Sequence, residues 1–130
     1  MAWYYSSAGS TEWRFLSAKT DTIGQLLFGD FDGDGRTDVA AIHNGQLVVS
    51  WGGISDWDVL NPNLPANVGI ADMFAGRFLQ HPPGDRSYDI FAADGPAPSG
   101  TGTWYLSYSG SCEWNRHDAS GEDEANRRMQ

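Results

Sequence analysis

The chain predicts an all-β fold, and three observations carry that prediction. Gly and Pro are frequent, at 16 and 6 of 130 residues, and aromatic residues make up 13%, a composition that suits short strands joined by tight turns. The apolar residues fall in short runs such as Leu26-Leu27-Phe28 and Val39-Ala40-Ala41-Ile42, strand-like in length and bounded by turn residues. A strand-and-turn unit recurs along the chain.

The first unit opens on strand-like Trp3-Tyr4-Tyr5 and runs through Ser6-Ser7-Ala8-Gly9-Ser10 to Trp13. Trp104-Tyr105-Leu106-Ser107-Tyr108-Ser109-Gly110 to Trp114 repeats it with the same Trp-to-Trp spacing. A third copy, Leu47 to Trp57, keeps the Ser, the Gly and the closing Trp in register. Between these units lie two hairpins, one from Gly29 to Ile42 and a divergent one from Gly76-Arg77-Phe78 to Tyr88-Asp89-Ile90-Phe91-Ala92. A period of this size in strands and turns is the signature of a β-propeller blade. With four antiparallel strands to a blade, the chain supplies about two and a half blades. The expected divisions are a half blade over 1–20, a blade over 21–65, a degenerate blade over 66–120 and a polar tail over 121–130, a short helix or a disordered end. Closed rings have about four to eight blades, so the expectation is a ring completed by oligomerisation or by parts of a longer chain.

The first hairpin carries the chemistry. In Phe28-Gly29-Asp30-Phe31-Asp32-Gly33-Asp34-Gly35-Arg36-Thr37-Asp38-Val39, carboxylates stand at alternate positions, followed by Asp38. Calcium takes six to eight oxygen ligands at about 2.3–2.6 Å. Asp30, Asp32, Asp34 and Asp38 offer carboxylates, and the carbonyl of Arg36 falls between the last two. An EF-hand needs a bidentate Glu at its twelfth position and a helix on each side. Ala41 stands there and the flanks are strand-like, so a hairpin wrapped around Ca2+ is the expectation. The plain alternative is an Asp/Gly-rich turn that binds nothing, but four acidic groups so close repel one another without a counter-ion.

This segment resembles the metal hairpin of the FG-GAP or VCBS repeats, the integrin-alpha-like β-propeller repeats, at nearly every position. The resemblance implies a four-stranded blade with calcium held between its first two strands. It implies no particular ligand. The second hairpin has lost the pattern: Arg77 stands for the first Asp, and Leu79-Gln80-His81-Pro82-Pro83-Gly84-Asp85 replaces the acidic loop. One calcium ion is expected, with Arg77 or Arg86 replacing the second by pairing with Asp85 or Asp89.

A net charge of −9 argues against nucleic acid, whose phosphates demand a basic surface, and against anionic membrane surfaces. The sequence has no apolar stretch of about twenty residues to span a bilayer. The single cysteine, Cys112, excludes an internal disulfide and reads as a small buried residue. No secretory leader precedes Trp3-Tyr4-Tyr5; the calcium loop nonetheless points to a secreted or cell-surface protein, because weak sites fill only where calcium is near millimolar.

The six Trp divide into two groups. Trp13, Trp57 and Trp114 close the repeats, and recurrence at one place suits wedges packed between blades. Trp3, Trp51, Trp104, Tyr5 and Tyr108 lie elsewhere and are the candidate ligand residues, since sugar recognition uses an exposed aromatic face. His43, His81 and His117 lie in no G-x-S-x-G elbow, H-E-x-x-H helix or P-loop and read as surface polar residues, His43 beside the Asn44-Gly45 turn. The expected function is therefore a non-catalytic calcium-binding module for ligand binding or adhesion, possible partners being a glycan, as in a lectin, or a protein. The alternative is a purely structural assembly module attached to a secreted enzyme.

Overall fold

Ten short strands and no α-helix make up the computed structural model of the protein, which describes residues 2–10, 12–65, 68–94 and 103–117. The strands are β1 (Trp3–Tyr5), β2 (Arg14–Ser17), β3 (Leu27–Gly29), β4 (Asp38–His43), β5 (Gln46–Ser50), β6 (Asp58–Asn61), β7 (Met73–Gly76), β8 (Asp89–Ala93), β9 (Trp104–Ser107) and β10 (Asn115–His117). They form three antiparallel sheets, one of two strands in the order β1-β2 and two of four strands in the orders β3-β4-β5-β6 and β7-β8-β9-β10. All-β is thus the observed class. The tail over 121–130 lies outside the described residues.

Turn chemistry sets the register of the tightest hairpin. Asn44 and Gly45 both take positive φ, 53° and 75°, the pair that a two-residue hairpin turn matched to the strand twist requires. His43 consequently faces Gln46, and Val39 faces Ser50. The turns from β1 to β2, β5 to β6 and β9 to β10 share another device: a single 3-10 turn whose middle residue, Ala8, Gly52 or Ser109, has φ of 55°, 63° or 58°.

The core lies between the two four-stranded sheets. Leu27, Phe31, Ala40, Leu47, Val49, Leu60, Met73, Ile90 and Ala92 form one buried cluster, with Trp51, Tyr105 and Trp114 packed at its margin. Strand β5 is covered on both faces, so Leu47, Val48, Val49 and Ser50 are all buried and Leu47-Val48-Val49 is apolar without alternation. The first strands of the two sheets approach closely: a Cβ built on Gly29 in β3 would stand 2.7 Å from the Cβ of Ala75 in β7. Buried Asn61 then fastens β6 to the neighbouring sheet, its Nδ2 donating to the carbonyls of Gly110 (3.2 Å) and Cys112 (3.0 Å).

Three sequence expectations need correction. Cys112 is exposed, not buried, because it sits in the turn between β9 and β10. His43 is no free turn residue: its Nε2 lies 2.8 Å from Asp21 Oδ2 and its ring meets Trp57 edge-on. Trp13 is 73% exposed and wedges nothing. Trp57 and Trp114 do join neighbouring sheets, Trp57 against Trp3 at 5.6 Å and Trp114 through Nε1 to the Asn63 carbonyl at 2.8 Å.

Candidate functional site

The loop between β3 and β4 folds around its own acidic side chains. Asp30 Oδ1 accepts the N–H groups of Gly33 (2.8 Å) and Asp34 (3.2 Å), and Oδ2 accepts that of Gly35 (2.9 Å). Asp32 accepts from Asp34 N–H, and Asp34 from Arg36 N–H at 2.8 Å. Asp38 is fully buried at the start of β4; its oxygens accept Phe31 N–H and Gly52 N–H, each at 2.9 Å. Asp38 therefore ties the loop to the 3-10 turn after β5. Gly33 faces the backbone of Arg86 and Ser87, and the Asp30 carbonyl accepts Tyr88 N–H at 2.7 Å, so the loop is braced against the second hairpin.

These bonds bring the carboxylates of Asp30, Asp32, Asp34 and Asp38 together, with one oxygen from each within 4.8 Å of the others. Ligands around a single calcium ion lie at most about 5 Å apart, twice the calcium–oxygen distance, and the set fits that limit. No basic side chain pairs with any of the four among the described residues. Two of the four are shifted in acidity. Desolvation in the loop pushes the Asp32 carboxyl up to about 6 against the Asp34 N–H, with Asp38, Asp30 and Asp34 adding to the rise. Burial raises Asp38 as well, opposed by its two backbone donors. A hard divalent cation is the species that would relieve this strain, held by the four carboxylates with Arg36 in the same loop.

The second hairpin solves the same problem with its own side chain. Asp89, at the start of β8, matches Asp38: it is fully buried and accepts the N–H groups of Phe78 (3.1 Å), Leu79 (2.9 Å) and Ser109 (3.0 Å). Here a histidine occupies the loop. The buried His81 side chain places Nε2 2.8 Å from Asp89 Oδ1 and Nδ1 3.3 Å from Asp85 Oδ1, and it stacks on Tyr108 with ring centroids 4.2 Å apart. This corrects two expectations. His81 is not a surface residue, and neither Arg77 nor Arg86 pairs with the side chains of Asp85 or Asp89. Arg77 instead donates to the Asp85 carbonyl at 3.1 Å. The Asp85 carboxyl is held well below the usual carboxylate range by the Ser87 hydroxyl (2.6 Å) and the Tyr108 hydroxyl; the bond to Asp85 in turn pushes the Tyr108 phenol up to about 12.

The five aromatic candidates do not gather in one place. Trp3 donates Nε1 to the Asp21 carbonyl (2.8 Å) and packs on Trp57 beneath Lys19. Trp51 donates to Asp58 at 2.9 Å, Trp104 packs against Phe91 and Tyr108 is stacked on His81. Tyr5, 42% exposed, lines a shallow cleft with Leu16, Arg36 and Ile54. Sequence reasoning missed the His81 cluster altogether. Its signal was the alignment of Asp89 with Asp38 in the repeat, which marks the second loop as one whose buried carboxylate needs a hydrogen-bonding partner. In comparisons with family models, with curated proteins and with solved structures, the chain matches none.

Proposed function

We propose that the protein is a calcium-stabilised β-propeller module of a secreted or cell-surface protein, non-catalytic and used for ligand binding or adhesion. The observation that carries this reading is the convergence of four aspartate oxygens within 4.8 Å of one another without a basic partner among the described residues. Calcium there offsets two of the loop's four negative charges and, through the bond from Gly52 N–H to Asp38, fixes the turn after β5. The two four-stranded meanders, with β3 against β7, suit neighbouring blades of the FG-GAP or VCBS kind, and β1-β2 suits half of one. An incomplete ring leaves apolar surface in water, and Trp13, Phe15, Ile23 and Phe74 are each more than 60% exposed; self-association into a homo-oligomer is the natural way to cover them.

A glycan-binding, lectin-like activity is the first specific form of this proposal. A purely structural role stands beside it, favoured by the engagement of Trp3, Trp51 and Tyr108 in contacts within the protein. Calorimetric titration with calcium, on the native protein and on Asp30→Asn/Asp34→Asn, tests the shared premise. One saturable site in the native protein, lost in the variant, supports it; equal heats from both proteins remove it. A glycan array in calcium then separates the lectin from the structural module.

A further inference from the structure

We infer that a cleft between the two hairpin loops, walled by Arg36, Arg77 and Arg86, binds an acidic saccharide, a sugar ring that carries a carboxylate or a sulfate. The cleft measures ≈ 460 Å³, and Phe28, Tyr88 and Asp30 complete the lining that matters. Three of the chain's eight Lys and Arg residues thus converge on one recess of a protein whose net charge is −9. None of the three pairs with a carboxylate among the described residues.

The reason lies in the surrounding hydrogen bonds. His81, Ser87 and Tyr108 occupy the carboxyl of Asp85. Asp89 is taken by three backbone N–H groups and His81. Asp30 is the one carboxylate in the lining, and its oxygens turn to the N–H groups of Gly33, Asp34 and Gly35. Asp85 and Asp89 are thus engaged by hydrogen bonds of their own, and no ion pair reaches the three guanidinium groups among the described residues, which leaves them donors for an external oxyanion in a bidentate fork. Arg77 is also anchored, through its bond to the Asp85 carbonyl.

The walls indicate what carries the oxyanion. Phe28 is 46% and Tyr88 36% exposed, and flat aromatic surface beside charge suits the apolar face of a sugar ring. A long polyanion is disfavoured by the net charge of the whole chain. At physiological salt the screening length is about 8 Å, so carboxylates elsewhere on the chain are screened, and the repulsion that remains comes from the aspartate loop that Asp30 brings to the lining, where a bound calcium ion would offset it. This inference rests on the ligand-binding reading above and moves the ligand from the tryptophans to the arginine cleft.

The test is titration calorimetry of the full chain, in calcium and in chelator, with digalacturonate, N-acetylglucosamine 6-sulfate and neutral diacetylchitobiose. The proposal expects one or both acidic sugars to bind and the neutral one not to. The two acidic probes tell carboxylate from sulfate recognition. Arg77→Gln and Arg86→Gln should each weaken binding about tenfold or more, the loss of a charge-assisted hydrogen bond, with circular dichroism unchanged. Preference for the neutral sugar, or affinity untouched in the double variant, overturns the inference while leaving the ligand-binding reading intact. Binding of no saccharide overturns the inference and the lectin-like form of the reading, and the calcium titration above is unaffected by either result.

Discussion

The imidazole of His81 lies against the carboxylate of Asp89, Nε2 to Oδ1 at 2.8 Å, with both side chains fully buried. Asp89 holds the place in the second hairpin that Asp38 holds in the first, binding the loop's backbone on one side and the 3-10 turn on the other. Where the first loop gathers four carboxylates, the second supplies a nitrogen ring of its own. His81→Ala removes the side chain hydrogen-bonded to this buried carboxylate and should destabilise the protein by about 1–3 kcal/mol. Denaturant unfolding measures it. A loss below about 1 kcal/mol would show that the backbone donors alone satisfy Asp89.

The bond from Tyr108 to Asp85 predicts an alkaline signature. Tyr108 titrates at about 12 in the folded protein against 10.0 for a free phenol. A group whose folded value is raised stabilises fully below its unfolded value, and that contribution disappears as pH rises through the folded one. Stability should therefore decline between about pH 10 and pH 12, and ultraviolet absorbance should show one phenol ionising late. Tyr108→Phe removes that late phase. It also frees Asp85 of one donor, so acid unfolding should shift: Asp85 is depressed in the native protein, and its contribution is present above the unfolded carboxylate value and lost as pH falls.

In the aspartate loop the sign is reversed. Asp32 titrates at about 6, raised from 3.8, so without a cation the folded chain binds that proton more tightly than the unfolded chain. Stability in chelator should rise as pH falls from about 6 toward 4. Calcium competes with the same proton, so the stabilisation it gives should shrink over that window. Melting curves at several pH values with calcium and with chelator check both slopes, and parallel curves would contradict the coupling.

Gly29 predicts a steric effect. A methyl group there meets the Cβ of Ala75 at 2.7 Å and the Phe31 ring at 3.0 Å, so Gly29→Ala must part β3 from β7 or displace Phe31. A loss of about 1–3 kcal/mol is expected, the usual range for overpacking. Ala75→Gly in the same chain should recover part of it. No recovery would mean that the Phe31 contact, rather than the approach of the two sheets, sets the penalty.

These four regions differ in how far the sequence discloses them. The strand runs, the Asn44-Gly45 turn and the Asp30 to Asp38 spacing are local patterns, and local patterns survive translation into structure because φ preferences and side-chain alternation act over a few residues. The His81 cluster is assembled from three separate places. Pro82-Pro83 folds the loop back so that His81 meets Asp89, and Tyr108 arrives from the far side of β9. No short-range rule predicts that burial, and a histidine beside two prolines reads from sequence as a loop residue. Trp13 fails differently: Trp57 and Trp114 reach back to the sheet that precedes their own, and among the described residues no sheet precedes β1-β2 to receive Trp13. The arginine cleft was hidden because the expected partners of Arg77 and Arg86 were taken by His81.

The most direct test of the account is thermal unfolding in millimolar calcium and in excess chelator, with molar mass by light scattering in both. Calcium at about a thousandfold over its dissociation constant adds about 4 kcal/mol, a rise in Tm of about ten degrees or more for a chain of this size. The account predicts that rise, its disappearance in Asp30→Asn/Asp34→Asn, and an oligomer that weakens in chelator. Identical melting curves in both buffers would contradict it, and would reduce the Asp30 to Asp38 loop to a turn.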